Sequence, residues 1–149
     1  MSKKTTFVYV TYIRTTPAKL WEALTNPKFT RAYWSGTVMD SKWTRGSTWK
    51  MVQPSGVVSD AGTILEAKKP SRLVIKWRNE FWPELKKEGH SRCIFDIEPY
   101  GEMTKLSVTH EVNKPKSKLV KAVSGGWPKI LSSMKSYLET GKPFDVACK

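Results

Sequence analysis

The chain has 149 residues, with 26 Lys and Arg against 13 Asp and Glu, for a net charge of +13. That length suits one domain, with a core large enough to fold without metals or disulfides. No apolar run is long enough to span a bilayer, and no signal-peptide core follows the Met1–Thr6 opening, so neither membrane spanning nor secretion is expected.

The basic residues lie in small scattered groups, and no zinc or RNA-binding signature accompanies them. The charge therefore reads as a solvated surface, and no specific nucleic-acid partner is expected. Cys93 sits in an alternating apolar run and Cys148 is next to last. A disulfide would tie a core strand to a tail, so the expectation is one buried and one free thiol in a reducing, cytoplasmic setting.

In chain order, Thr5 to Ile13 alternates aromatic and β-branched residues and reads as a strand with both faces at least partly covered. Thr16-Pro17 and Asn26-Pro27 each supply an N-cap followed by Pro at the first helical position. Two short helices therefore follow, the second running to about Trp34. Glycines and prolines then punctuate short strands over 38–43, 47–52 and 57–68. Leu73 to Trp77 is a strong strand, and 80–89 is a charged loop carrying Phe81 and Trp82. Ser91–Glu98 and Thr104–Glu111 make a hairpin across Pro99-Tyr100-Gly101. Apolar residues from Leu119 to Leu138 recur at steps of three and four, the mark of a helix. Gly125-Gly126 and Pro128 predict a kink or restart within it. Gly141 ends it and Pro143 blocks its resumption, so 142–149 is expected to be loose and the ordered core to be about 5–141. Strands followed by a terminal helix predict a single α+β domain over 1–149, with an antiparallel sheet covered on one face.

These segments together resemble the START-like superfamily. More narrowly, they are similar to the domain family named for activators of heat-shock protein 90 ATPase. The resemblance rests on Ile13 through Pro17 to Trp21–Pro27, Arg45-Gly46-Ser47-Thr48-Trp49, Leu73 through Trp77, Thr104 through His110, and Gly125-Gly126-Trp127-Pro128 to Gly141. It spans about residues 5–143. It implies the helix-grip fold: a curved antiparallel sheet of six or seven strands around a long C-terminal helix, usually with a cavity between them. The co-chaperones of this family carry the domain after another one. Here the chain opens on the first strand, so a stand-alone ligand binder is the first expectation and a chaperone partner the second.

A pocket for a small apolar molecule is lined by aromatic and aliphatic side chains, with a few orienting polar groups. Trp34, Trp49, Met51, Trp77, Phe95, Trp127, Ile130 and Met134 are the candidate walls, and His110, on the same strand face as Leu106 and Val108, is the candidate orienting group. Phe81 and Trp82 are candidates for a lid. Taken singly, each Trp would serve equally well as core filling.

Catalytic residues are not expected. Glu22, Glu66, Asp96, Glu98 and Glu111 read as surface groups, neither Cys has an activating base, and two His with one core Cys make no metal site. No phosphate-binding loop is present, and no cofactor is expected. An enzyme of cyclase or hydrolase type using the same cavity is the least favoured alternative. The protein is expected as a monomer or as a homodimer joined through a sheet edge.

Overall fold

The computed structural model describes residues 3–147. Strands β1 (Thr5–Ile13), β2 (Val38–Ser41), β3 (Thr48–Val52), β4 (Val58–Lys68), β5 (Arg72–Asn79), β6 (Ser91–Tyr100) and β7 (Met103–Val112) make one sheet. Its order is β1-β7-β6-β5-β4-β3-β2 and every pair is antiparallel. Helices α1 (Pro17–Thr25) and α2 (Pro27–Tyr33) follow β1, a single turn α3 (Pro83–Lys86) follows β5, and α4 (Lys118–Thr140) closes the chain. This is the α+β helix-grip architecture.

The caps form where the sequence signals them. The Thr16 hydroxyl accepts from the Lys19 amide at 3.2 Å, and the Asn26 side chain accepts from the Lys28 amide at 3.0 Å. Each satisfies an amide that the helix itself leaves unpaired. The bend between α1 and α2 is locked by the Tyr33 hydroxyl, which donates to the Ala23 carbonyl at 2.9 Å. Helix α4 packs on β1 and β7, and α2 packs on β2 and α4. Near its C-terminal end, Lys135 donates to the Tyr12 carbonyl at 2.6 Å and Glu139 accepts from the Arg14 amide at 2.8 Å, fixing the helix to the end of β1.

Three expectations are corrected. Helix α4 runs unbroken through Gly125, Gly126 and Pro128. Its buried face, which includes Leu119, Val120, Trp127, Leu131 and Met134, binds the helix to the sheet, and this packing outweighs one lost hydrogen bond. Strand β1 is covered on one face only, since Val8, Val10 and Tyr12 are exposed. The tail is also tied down as far as the structure describes it. The Phe144 amide donates to Ser133 at 2.9 Å, the Val146 amide donates to Ser35 at 2.9 Å, and Val146 packs on the core. Cys93 is buried and free, while Cys148 lies outside the described residues.

The centre of the sheet depends on one glycine. Trp49, Gly62 and Trp77 are in register across β3, β4 and β5. With no side chain between them, the two indoles meet with ring centroids 4.4 Å apart. A Cβ at Gly62 would lie 1.6 Å from the Lys76 carbonyl oxygen, so the backbone itself would have to move. Gly62→Ala is expected to lose about 3 kcal/mol of stability in chemical denaturation, the range of severe strain in a core. A loss below about 1 kcal/mol would show that β4 and β5 can slide apart to admit the methyl group.

Candidate ligand cavity

Between the β3–β5 end of the sheet and α4 lies a cavity of about 250 Å³. Trp34 from the end of α2, Met51 from β3 and Trp77 from β5 form part of its wall, and Val123, Gly126, Trp127 and Ile130 of α4 face them. Trp82 and Leu85, from the segment around α3, also line it. The walls interlock through aromatic edges: Trp34 meets Trp127 at 5.6 Å and Trp77 meets Trp127 at 5.8 Å between ring centroids, both in T-shaped geometry.

Five of the residues nominated from sequence therefore line one cavity: Trp34, Met51, Trp77, Trp127 and Ile130. Four others lie behind it. Trp49, Phe95 and Met134 are fully packed in the core, Trp49 against Trp77 and Phe95 against Trp127. His110 is 0% exposed and has both ring nitrogens engaged. The Trp127 indole N–H donates to its Nδ1 at 3.2 Å, and its Nε2 lies 2.8 Å from the Ser91 hydroxyl. Ser91 in turn donates to the Trp77 carbonyl at 3.1 Å. Only the neutral tautomer carrying hydrogen on Nε2 satisfies this chain, and burial pushes the imidazole pKa down to about 4. His110 thus joins helix to sheet, with no valence left over for a ligand.

The two lid candidates are exposed, Phe81 at 53% and Trp82 at 56%, and their rings meet edge-on at 5.1 Å. Trp82 lines the cavity, while Phe81 lines an adjoining outer pocket of about 440 Å³ that shares Met51, Asp60, Asn79 and Trp82 with it. The loop is held from two sides. Asn79 accepts from the Phe81 amide at 3.0 Å and the Trp82 amide at 2.7 Å. Glu88 accepts from the Lys118 amide at 2.7 Å and from the Ser117 hydroxyl, capping α4. Burial alone would raise the Glu88 carboxyl, but these bonds, with the Leu119 amide, hold it below its usual range.

Sequence reasoning missed Asp60. It sits in β4, only 4% exposed, and lines both the cavity and the outer pocket. Its Oδ2 accepts from the Trp77 indole N–H at 2.7 Å and from the Asn79 amide at 3.4 Å. Burial raises its pKa above the usual carboxylate value and nearby Glu80 adds to this, while hydrogen bonds from Ser59, Trp77 and Asn79 oppose it. Nothing in Ser59-Asp60-Ala61 distinguishes this aspartate from a surface one. Strand alternation puts it on the same face as Gly62, and the register sets it opposite Met51 and Asn79. Among the described residues, no cluster of His, Cys, Asp and Glu could hold a metal, and no helix is long and apolar enough to cross a membrane.

A seven-stranded helix-grip sheet with a cavity beneath its C-terminal helix defines a protein of the START-like class. A family model described as "Activator of Hsp90 ATPase homolog 1-like protein" matches residues 14–139, and the chain belongs to that family. Solved structures with the same fold include a protein from Mesorhizobium loti, 22% identical with TM-score 0.76, covering 90% of this chain and 96% of that one. The Aha1 dimer from Colwellia psychrerythraea is 19% identical with TM-score 0.74, covering 93% of this chain and 98% of that one. An Hsp90 activator from Plasmodium falciparum is 23% identical with TM-score 0.73, covering 93% and 97% respectively. No curated protein matches the sequence.

The state of His110 has a measurable consequence. Its folded pKa of about 4 lies below the ordinary 6.5, so the unfolded chain takes up the proton first as pH falls. The associated stability is complete above pH 6.5 and is lost as pH falls through about 4. The loss amounts to about 3 kcal/mol at most. Denaturant titrations at pH 7 and pH 4 should show a steeper decline for the wild type than for His110→Gln. Parallel declines would mean that the buried imidazole is not what titrates.

Proposed function

We propose that the protein binds a small, largely aromatic or apolar molecule in the cavity between the sheet and α4. The observation that carries this reading is the cavity itself. It is walled by Trp34, Trp77, Trp82 and Trp127, softened by Met51 and Ile130, and supplied with a single carboxylate. Few polar groups in an apolar enclosure are what a small-molecule site requires. Trp49, Phe95 and His110 serve it from behind, by fixing the orientation of Trp77 and Trp127. The flexible thioether of Met51 suits a wall that adapts to its occupant.

A second reading is an interaction module related to activators of the heat-shock protein 90 ATPase. It is favoured by family membership and by the exposed Phe81–Trp82 pair. That reading predicts stimulation of the chaperone's ATPase by this protein and its loss in Phe81→Ala, with no dependence on the cavity.

Gly126 separates the two. It lines the cavity from α4, and a Cβ there meets only the Ile130 Cδ1, at an ordinary 3.9 Å. Gly126→Leu should fill the cavity while keeping the fold, with a gain of roughly 1 kcal/mol in helix propensity. Native mass spectrometry of freshly purified wild type should show a recurrent added mass that denaturation releases and that Gly126→Leu lacks. If that mass persists in Gly126→Leu, the ligand sits elsewhere.

A further inference from the structure

The buried carboxylate is the feature that an apolar ligand leaves unexplained. Asp60 makes no salt bridge among the described residues, although the protein carries twice as many basic as acidic side chains. Arg78 and Lys86 both pair with Glu80 instead. No Lys or Arg lines the cavity. Burial raises the pKa of this carboxyl, so ionising it here is costly, and a bound cation would offset that cost. Holding the Trp77 and Asn79 donors does not require a charge, because the amide oxygen of an asparagine would accept both bonds in the same place.

The surroundings of the carboxylate point the same way. Four indoles, from Trp34, Trp77, Trp82 and Trp127, share the cavity with Asp60. Indole faces carry negative electrostatic potential and attract organic cations, most strongly where water is excluded. A carboxylate lining the same cavity as these indoles supplies the countercharge. Asp60 also borders the outer pocket beneath Phe81 and Trp82, so a charged group could reach it from the rim, with its apolar body following the walls.

We propose that the ligand of this cavity is an organic ammonium ion with an aromatic or apolar body, its cationic head seated between Asp60 and the indoles of Trp34, Trp77, Trp82 and Trp127. The proposal rests on the ligand-binding reading above and narrows it to one chemical class. Asn79 has a part in both recognition and closure. It donates to the Asp60 carboxylate and holds the Phe81 and Trp82 amides, so the group that senses the head also places the lid.

The test compares two probes of nearly the same shape, benzyltrimethylammonium and its neutral carbon isostere neopentylbenzene, by tryptophan fluorescence titration. The wild type should bind the ammonium at least about tenfold more tightly than the isostere. In Asp60→Asn, which keeps the shape of the site and its hydrogen-bond acceptor, that ratio should fall toward one. Should this variant not fold, Trp82→Leu at an exposed position is read in its place. It keeps an apolar wall and removes one indole face, and the ratio should drop several-fold. A ratio near one in the wild type, or a preference that survives these changes, overturns the cationic assignment and leaves the cavity reading standing. Failure of the wild type to bind either probe overturns both.

Discussion

A single chain of polar contacts joins the helix to the sheet, and the rest of the interior is arranged around it. It starts at the Trp127 indole on α4, passes through His110 on β7 and Ser91 on β6, and reaches the Trp77 carbonyl on β5. The Trp77 indole continues it to Asp60 on β4. These four strands are consecutive neighbours in the sheet. Every donor along the way has an acceptor, which is the condition for burying polar groups in an apolar interior. A helix bound by apolar packing alone can slide or rotate at little cost. One bound through directional bonds has a single seating.

That seating creates the cavity. Trp127 is held by His110 on one side and meets Trp34, Trp77 and Phe95 with its ring edges. Rigid indoles in edge contact do not collapse into the space beside them. Gly126, the residue before Trp127, contributes no side chain to fill it. The open cleft is therefore a consequence of packing four bulky aromatics around fixed bonds, with a glycine where a side chain would otherwise fill it.

The segment between β5 and β6 is built to cover this space while remaining distinct from the core. Its one buried residue in α3 is Leu85, and its aromatics stay largely in solvent. It is pinned at its start by Asn79 and at its end by Glu88, which caps α4. Elements held mainly at their ends, with few buried contacts between, open at lower free energy than the core does. The same two anchors connect this segment to the carboxylate and to α4.

The sequence by itself determined the elements and the fold. Alternation in Leu73–Trp77, the Thr16-Pro17 and Asn26-Pro27 caps and the three-and-four spacing from Leu119 to Leu138 are local signals, and local signals survive in one dimension. Residue type and position also nominated Trp34, Met51, Trp77, Trp127 and Ile130, which the fold brings to one cavity. The continuity of α4 across Pro128 was not legible, because propensity does not contain the tertiary packing that overrides it. Nor was the division of inward residues between wall and core. Trp49 and Trp77 look alike in sequence, and only their seating across Gly62 sets one behind the other. The parts of His110 and Asp60 were hidden for the same reason. An inward histidine became a bonded strut once Trp127 and Ser91 met its two nitrogens, and an unremarked aspartate became the cavity's carboxyl once Met51 and Asn79 came to flank it. Which face a residue occupies follows from the period of its own strand. What it meets there depends on neighbours far away in the chain, and only the folded structure brings those together.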